Sequence, residues 1–504
     1  MAKALPLMIQ GTHSDAGKSI MVTAFCRIFA QQGFCTAPFK SQNMALNSYI
    51  TLDGKEIGRA QGVQAEAAGI VATTDMNPIL IKPTRDNESQ IVLHGEPYKN
   101  MEASNYRSEF YERGLKIIHD SYTRLAEKYE RIVIEGAGSP AEVNLNAREL
   151  VNMRVARLTN SPVILVGDIE RGGVFASLVG TLQLLDPEDR DRVIGVIINK
   201  FRGDIALLEP GVKWFEEYTG KPVLGVVPYM DGLTVDSEDS VILDRRTPYQ
   251  NPAKEIDIAV IQYPRISNFT DADPFFAEPD CHVRFVKKRE HLKNPDIVIL
   301  PGSKNTIEDL QFLQQSGLAD EIKNLCHNKT IKILAGICGG YQMLGQMIED
   351  PHEMESRLHR IDGLALLPIR TTISTTKTTM LSTGSIRLCG ENIQVEGYEI
   401  HMGESYPLAE CVPFIYLDGR CDGVVDETGS IIGTYFHGIF HNDLFRERLL
   451  NSIRTMKGLP PITNRVCFNA LQEQAFDELA AHVRRHIELP FIEEKMKQFQ
   501  LKAK

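Results

Sequence analysis

The stretch Gly11–Ser19, GTHSDAGKS, lies between a short apolar run, Leu5–Ile9, and a helix-like run, Ile20–Gln32. Strand, glycine loop and helix in that order form a corner that cradles phosphate. Backbone N–H groups point at the anion, and the helix N-terminus adds partial positive charge. Lys18 is placed to reach the terminal phosphates and Ser19 to put its hydroxyl on a magnesium ion. The spacing departs from the usual G-x4-G-K-[ST]: Thr12 stands where the first glycine falls, and Gly11 comes one residue earlier. An ordinary strand–turn–helix corner is the plainer alternative. The context and Gly17-Lys18-Ser19 favour nucleotide binding, with Gly11, Thr12, Ser14, Gly17, Lys18 and Ser19 as the binding residues.

Downstream, short β-branched runs recur at Arg131–Ile134, Val163–Val166, Val193–Ile198 and Val223–Val227, separated by helical patterns such as Ser108–Lys128 and Gly173–Leu185. Runs of this kind are buried parallel strands, and their alternation with helices predicts a doubly wound α/β sheet. Ligands bind such sheets at the carboxyl ends of the strands. Turn-forming residues dominate Asp244–Lys254, which predicts a first domain over 1–245 and a linker over 246–254. A second alternating series, Ile256–Ile261, Asp296–Leu300 and Ile331–Ala335, predicts another α/β domain over 255–445, with hairpin-type strands at Gly384–Leu388 and Gly429–Tyr435. Residues 446–504 read as a helical extension interrupted near Gly458–Thr463.

A formal charge of −11, with no basic stripe, argues against nucleic acid as a partner. Nine cysteines without a C-x-x-C pair read as a reduced, cytoplasmic chain with no disulfide framework or zinc site. No apolar run is long enough for a transmembrane helix. The sequence sets no oligomeric state.

Gly336-Ile-Cys338-Gly-Gly340 has the form of a nucleophile elbow with cysteine in place of serine, between the strand IKILA and the helix YQMLGQMI. A sharp turn lifts the nucleophile clear of the sheet, and the following helix N-terminus favours a thiolate. The Gly339 N–H is placed to hold an oxyanion. A buried cysteine in a glycine turn is the alternative. The base for such a nucleophile is assigned to His437, in GTYFHGIF, with His401 and His441 as competitors. The turn after Leu300 offers the amides of Gly302 and Ser303 as second oxyanion donors. Glu135, directly after the RIVI strand in EGAGSPAE, is a candidate magnesium ligand. Asp168, in DIERGG, follows similar logic, and Lys40 is a candidate positive charge over the phosphates.

Taken together, GTHSDAGKS, FKSQNMALN (39–47), EGAGSPAE (135–142), GDIERGGVF (167–175), INKFRG (198–203), LPGSKNT (300–306), Cys338 and GTYFHGIF (433–440) resemble the glutamine-dependent cobyric acid synthases over residues 5–445. The resemblance implies a synthetase domain related to dethiobiotin synthetase and the partition ATPases, fused to a class I glutamine amidotransferase domain. It implies ATP- and glutamine-dependent amidation of the b, d, e and g carboxylates of adenosylcobyrinic acid a,c-diamide, a corrinoid polycarboxylate, with Mg2+ as cofactor. By the same match Cys338 is the nucleophile and His437 its base, Lys18, Ser19 and Glu135 take the phosphate and magnesium positions, and Asn199 contacts adenine. Gln42, Asn43, Glu142, Asp168 and Arg171 are the expected substrate residues, with Arg85, Arg107 and Arg202 as further candidates. Related amidotransferases carry an acid two residues after the histidine; Ile439 occupies that place here, which predicts a Cys338–His437 dyad. The alternatives are an a,c-diamide synthase acting one step earlier and, in another class, a P-loop ATPase switch of partition type.

Overall fold

The computed structural model describes residues 4–85, 88–102, 105–106, 109–144, 148–232, 248–417 and 419–502. Its first sheet runs, edge to edge, through Val223–Pro228, Val193–Phe201, Val163–Asp168, Leu5–Gly11, Arg131–Glu135 and Thr36–Phe39, all parallel. Side chains alternate across a strand, and both faces of this sheet are apolar. Met8, Ile134, Leu165 and Ile198 pack against the helices Tyr111–Lys128 and Val174–Leu184. Leu7, Ile9, Val133 and Ile197 face the helix Lys18–Gln31 instead.

That second face is completed from the far end of the chain. The helix Asp443–Met456 buries Phe445, Leu449, Leu450 and Ile453 in the core of the second half. The helices Phe468–Arg485 and Leu489–Lys502 then return to the first sheet, adding Leu479, Val483, Ile492 and Met496 to the cluster around Leu7 and Phe25. Residues 446–502 are thus divided between the two halves. Arg27 bridges to Asp477 at 2.7 Å and Glu473 at 3.0 Å. Such exposed pairs give about 0.2–1 kcal/mol each, against about 1.5–3 kcal/mol for each fully buried aliphatic side chain, so apolar packing decides this docking.

The second sheet runs through Cys281–Val286, Ile256–Ile261, Ile297–Leu300, Ile333–Ile337, Ile431–Thr434 and Val424–Val425. Only the last strand is antiparallel. Ile431–Thr434 therefore makes a hairpin partner on one side and a parallel partner on the other. Beside it, Ile369–Leu388 and Glu391–Pro407 form a long antiparallel pair. The first half also carries a four-stranded sheet of Gln42–Met44, Ile79–Arg85, Glu88–Leu93 and Glu96–Glu102, which the sequence reading did not anticipate. One of its faces lines a cavity and the other meets the second half.

Candidate functional site

Cys338 sits between the strand Ile333–Ile337 and the helix Gly339–Leu344 with φ 52° and ψ −108°. A side chain rarely adopts positive φ, and strain of this kind is the mark of an elbow that presents its nucleophile. The residue is 8 % exposed, and its thiol donates to the Ile400 carbonyl at 3.4 Å.

His437, on the short strand Phe436–His437, is fully buried. Its Nδ1 donates to Oδ2 of Asp271 at 2.7 Å, and the Gly438 N–H donates to Oδ1 of the same carboxylate at 2.8 Å. The ring stacks on Tyr398, 5.0 Å between centroids. Burial alone would pull the imidazole down. Asp271 outweighs it and, with a further contribution from Cys338, raises His437 to about 10. Asp271 is held below its ordinary value: burial opposes this, but His437 and the Gly438 amide prevail. With Nδ1 fixed on the carboxylate, Nε2 is left for Cys338. A carboxylate, Asp271, thus stands behind His437, where the sequence reading expected a dyad with none. The carboxylate that Ile439 lacks comes from the 3-10 turn Phe269–Ala272, 166 residues before the histidine. No motif around Asp271 marks it in the sequence.

The competing histidines have other neighbours, although His441 is close enough to Asp271 to help lower it. His401 Nδ1 pairs with the Gly403 carbonyl at 2.8 Å, and its ring stacks on Tyr435 at 3.9 Å. His441 packs edge-on against Phe468. The oxyanion candidates converge: a Cβ on Gly339 would fall 2.8 Å from the Ser303 N, and one on Gly302 would fall 3.4 Å from His437 Cε1. Ser303 Oγ donates to Asp309 at 2.6 Å, which fixes this short strand.

The phosphate loop closes over the carboxyl ends of the first sheet. Gly17 has φ 102°, and a Cβ there would come within 2.1 Å of Asn199 Nδ2, so only glycine fits. Lys18 Nζ donates to the carbonyls of His13 at 3.0 Å and Gly138 at 3.2 Å. It thereby spans the loop interior, with Gly11 packed beside its stem. Thr12 Oγ1 pairs with His13 Nδ1 at 2.9 Å, and Ser14 lies on the exposed rim. Ser19 Oγ donates to Glu135 Oε1 at 2.8 Å, Lys40 Nζ to the same oxygen at 2.9 Å, and Gln64 to Oε2 at 2.6 Å. Burial resists the charge on Glu135, but Lys40 and these donors keep it below the ordinary range. Gln64 had no sequence signal.

A hydroxyl and a carboxylate oxygen at the mouth of a phosphate loop are the donors magnesium takes, the rest of its shell being phosphate and water. The residues present fit that ion. Asn199 donates from Nδ2 to the Ala16 carbonyl at 3.0 Å, under the loop. Asp168 accepts from Lys200 at 2.8 Å, and Arg171 reaches Asp15 at 3.1 Å, so both lie beside the loop.

A cavity of about 190 Å³ opens nearby, lined among others by Gln42, Met44, Ser89, Ile91, Tyr106 and Arg148. Gln42 accepts from the Tyr106 hydroxyl at 2.6 Å. Asn43 points the other way, to Gln61 at 3.1 Å. Glu142 is exposed. Arg202 lies over the Tyr229 ring, 3.7 Å from its centroid, and pairs with Asp231. Arg107 and the Arg85 side chain lie outside the described residues. Among the described residues no helix is long and apolar enough to cross a membrane.

This combination defines a class: a P-loop nucleotide-binding domain joined to a cysteine-dependent glutamine amidotransferase domain. Residues 7–241 match the CobQ/CobB/MinD/ParA nucleotide binding domain, and residues 257–445 match the CobB/CobQ-like glutamine amidotransferase domain. Over 500 residues the chain is 65 % identical to the cobyric acid synthase of Geobacillus sp. (strain WCH70), covering 99 % of each chain. It is 62 % identical to that of Anoxybacillus flavithermus, again with 99 % of each covered. To the cobyric acid synthase of Thermoanaerobacter sp. (strain X514) it is 48 % identical, with 98 % of this chain and 99 % of the other covered. The chain belongs to the cobyric acid synthase family of glutamine amidotransferase ligases.

Proposed function

We propose that the chain releases ammonia from glutamine at Cys338 and uses it to amidate the b, d, e and g carboxylates of adenosylcobyrinic acid a,c-diamide at the phosphate loop. The observation that carries this is the pairing of a Cys338–His437–Asp271 centre with a separate Lys18, Ser19 and Glu135 centre in one chain.

At the first centre the Cys338 sulfur attacks the side-chain amide carbon of glutamine. The amides of Gly339 and of Gly302 or Ser303 hold the resulting oxyanion; one such donor contributes on the order of 3 kcal/mol. The Cys338 thiol first passes its proton to His437 Nε2, so that a thiolate attacks and His437 stands as imidazolium, the charged ring being stabilised by Asp271. The imidazolium gives the Nε2 proton to the leaving nitrogen, and ammonia departs. The neutral ring then takes a proton from water, which attacks the thioester and frees glutamate.

At the second centre a substrate carboxylate attacks the terminal phosphorus of ATP, giving an acyl phosphate and ADP. A free carboxylate is a poor electrophile; the acyl phosphate has a good leaving group. Ammonia attacks its carbonyl and phosphate leaves. Lys18 stabilises the charge on the transferring phosphoryl group, and Ser19 and Glu135 would hold Mg2+, which supplies Lewis-acid neutralisation there when bound. Asn199 shapes the loop from beneath, and Lys40 and Gln64 orient Glu135. The cavity beside Gln42 and Tyr106 takes part of the corrinoid rim. Incubation with the a,c-diamide, ATP, magnesium and glutamine, followed by mass spectrometry, tests this. Amides added at b, d, e and g support the reading, and a product that stops at the a,c-diamide contradicts it.

A further inference from the structure

The two halves meet at a buried charged cluster that neither centre's chemistry uses. Glu56 is fully buried and ion-paired to Lys82 of its own half and to Lys377 of the other. Ser48 Oγ donates to Glu56 at 2.6 Å and accepts from Lys82 at 2.7 Å. The Ser48 N–H crosses to Asn268 Oδ1 at 2.9 Å, at the foot of the turn that carries Asp271. Lys304, the residue after the oxyanion strand Gly302–Ser303, donates to Gln90 Oε1 of the first half at 2.9 Å.

Gln90 occupies an informative place. It lies opposite Lys82 in the register of Ile79–Arg85 with Glu88–Leu93, while Ile91 lies opposite Ile81. Ile81, Ser89 and Ile91 line the cavity that also holds Gln42 and Tyr106. Successive side chains alternate across a strand. One face of this thin sheet is therefore the cavity wall, and the other presents Lys82 and Gln90 to the amidotransferase half. Burial and the ammoniums of Lys377 and Lys82 push Lys304 down to about 7. An acceptor such as Gln90 matters to a lysine in that setting, because a buried donor left unsatisfied is destabilising.

We propose that Lys304 is a positioning residue that ties the oxyanion strand Gly302–Ser303 to the strand Glu88–Leu93, so that corrinoid in the cavity on the other face of that strand raises the rate of glutamine hydrolysis. The proposal rests on the functional reading above. A ligand edge pressing on Ser89 and Ile91 moves the backbone that carries Gln90, and Lys304 transmits the shift to the amides that hold the oxyanion. The linkage prevents ammonia release when there is no carboxylate to amidate.

The test is glutamate release by the full chain with ATP, magnesium and glutamine, with and without cobyrinic acid a,c-diamide. The native chain is expected to be stimulated by the corrinoid within the roughly 5- to 150-fold range of linked sites. Gln90→Leu should flatten that ratio to about twofold or less, and Gln90→Glu, which keeps an acceptor, should restore it. Lys304→Met should flatten it from the other side. Amidation supported by ammonium should survive in Gln90→Leu, an outcome that a collapsed fold would not give. A native ratio in Gln90→Leu or Lys304→Met, or no stimulation of the native chain, overturns the proposal. If the native chain fails to amidate the corrinoid with ammonium, the functional reading itself falls and the coupling falls with it.

Discussion

Asp271 accepts a 2.7 Å hydrogen bond from His437 Nδ1 across 166 residues of chain. This contact orients the imidazole, leaves Nε2 for Cys338 and, against burial and together with Cys338, raises His437 to about 10. An orienting acid can be worth up to about 10⁴ in turnover, and cysteine depends on it less than serine because its thiol ionises more easily. Asp271→Asn should lower glutamine-dependent turnover by roughly 10²- to 10⁴-fold while ammonium-dependent synthesis persists. Steady-state glutamate release checks this, and a loss of less than about threefold would return the site to a dyad.

The histidines are expected to separate cleanly. His437→Ala should abolish glutamate release, because the ring that Asp271 orients toward Cys338 is removed. His401→Ala should be milder, since Nδ1 of His401 is engaged with the Gly403 carbonyl. His441→Ala should also be milder. Activity in His437→Ala together with loss in His401→Ala would move the base.

Stability should carry the same pair. His437 is raised from an ordinary value of 6.5 to about 10. Its contribution to folding is therefore fully present below 6.5 and is lost as pH rises through about 10. Asp271 is lowered from 3.8, so its contribution is present above that value and is lost as pH falls further. Denaturation midpoints of the native chain should fall on the alkaline side over that window, and Asp271→Asn should flatten the fall. Parallel curves for the two proteins would contradict the ion pair.

Lys18→Ala should abolish synthesis with either nitrogen source, since both routes need the acyl phosphate, but leave Cys338 able to hydrolyse glutamine. Product formation with ammonium in this variant would remove Lys18 from the phosphoryl transfer.

Much of this molecule was legible in the sequence where short-range geometry forces residue choice. The phosphate loop was visible because Gly17 and Lys18 follow a strand, and the elbow because glycines flank Cys338. What escaped is held together over long separations. Asp271 reaches His437 only once the second sheet has formed, and nothing in Phe269–Ala272 distinguishes it from a turn acid. The four-stranded sheet was hidden because Glu96–Glu102 is mostly polar and exposed, and Pro83 interrupts Ile79–Arg85. The helices after Cys467 read as a charged extension because only a narrow stripe, including Leu479, Val483, Ile492 and Met496, faces the first sheet.

The most direct test of two centres joined by ammonia is Cys338→Ala assayed with each nitrogen source against the a,c-diamide and ATP. The account predicts no amidation with glutamine and near-native amidation with ammonium at high concentration. Glutamine-driven amidation at the native rate in Cys338→Ala, or loss of both activities in a folded variant, would contradict it.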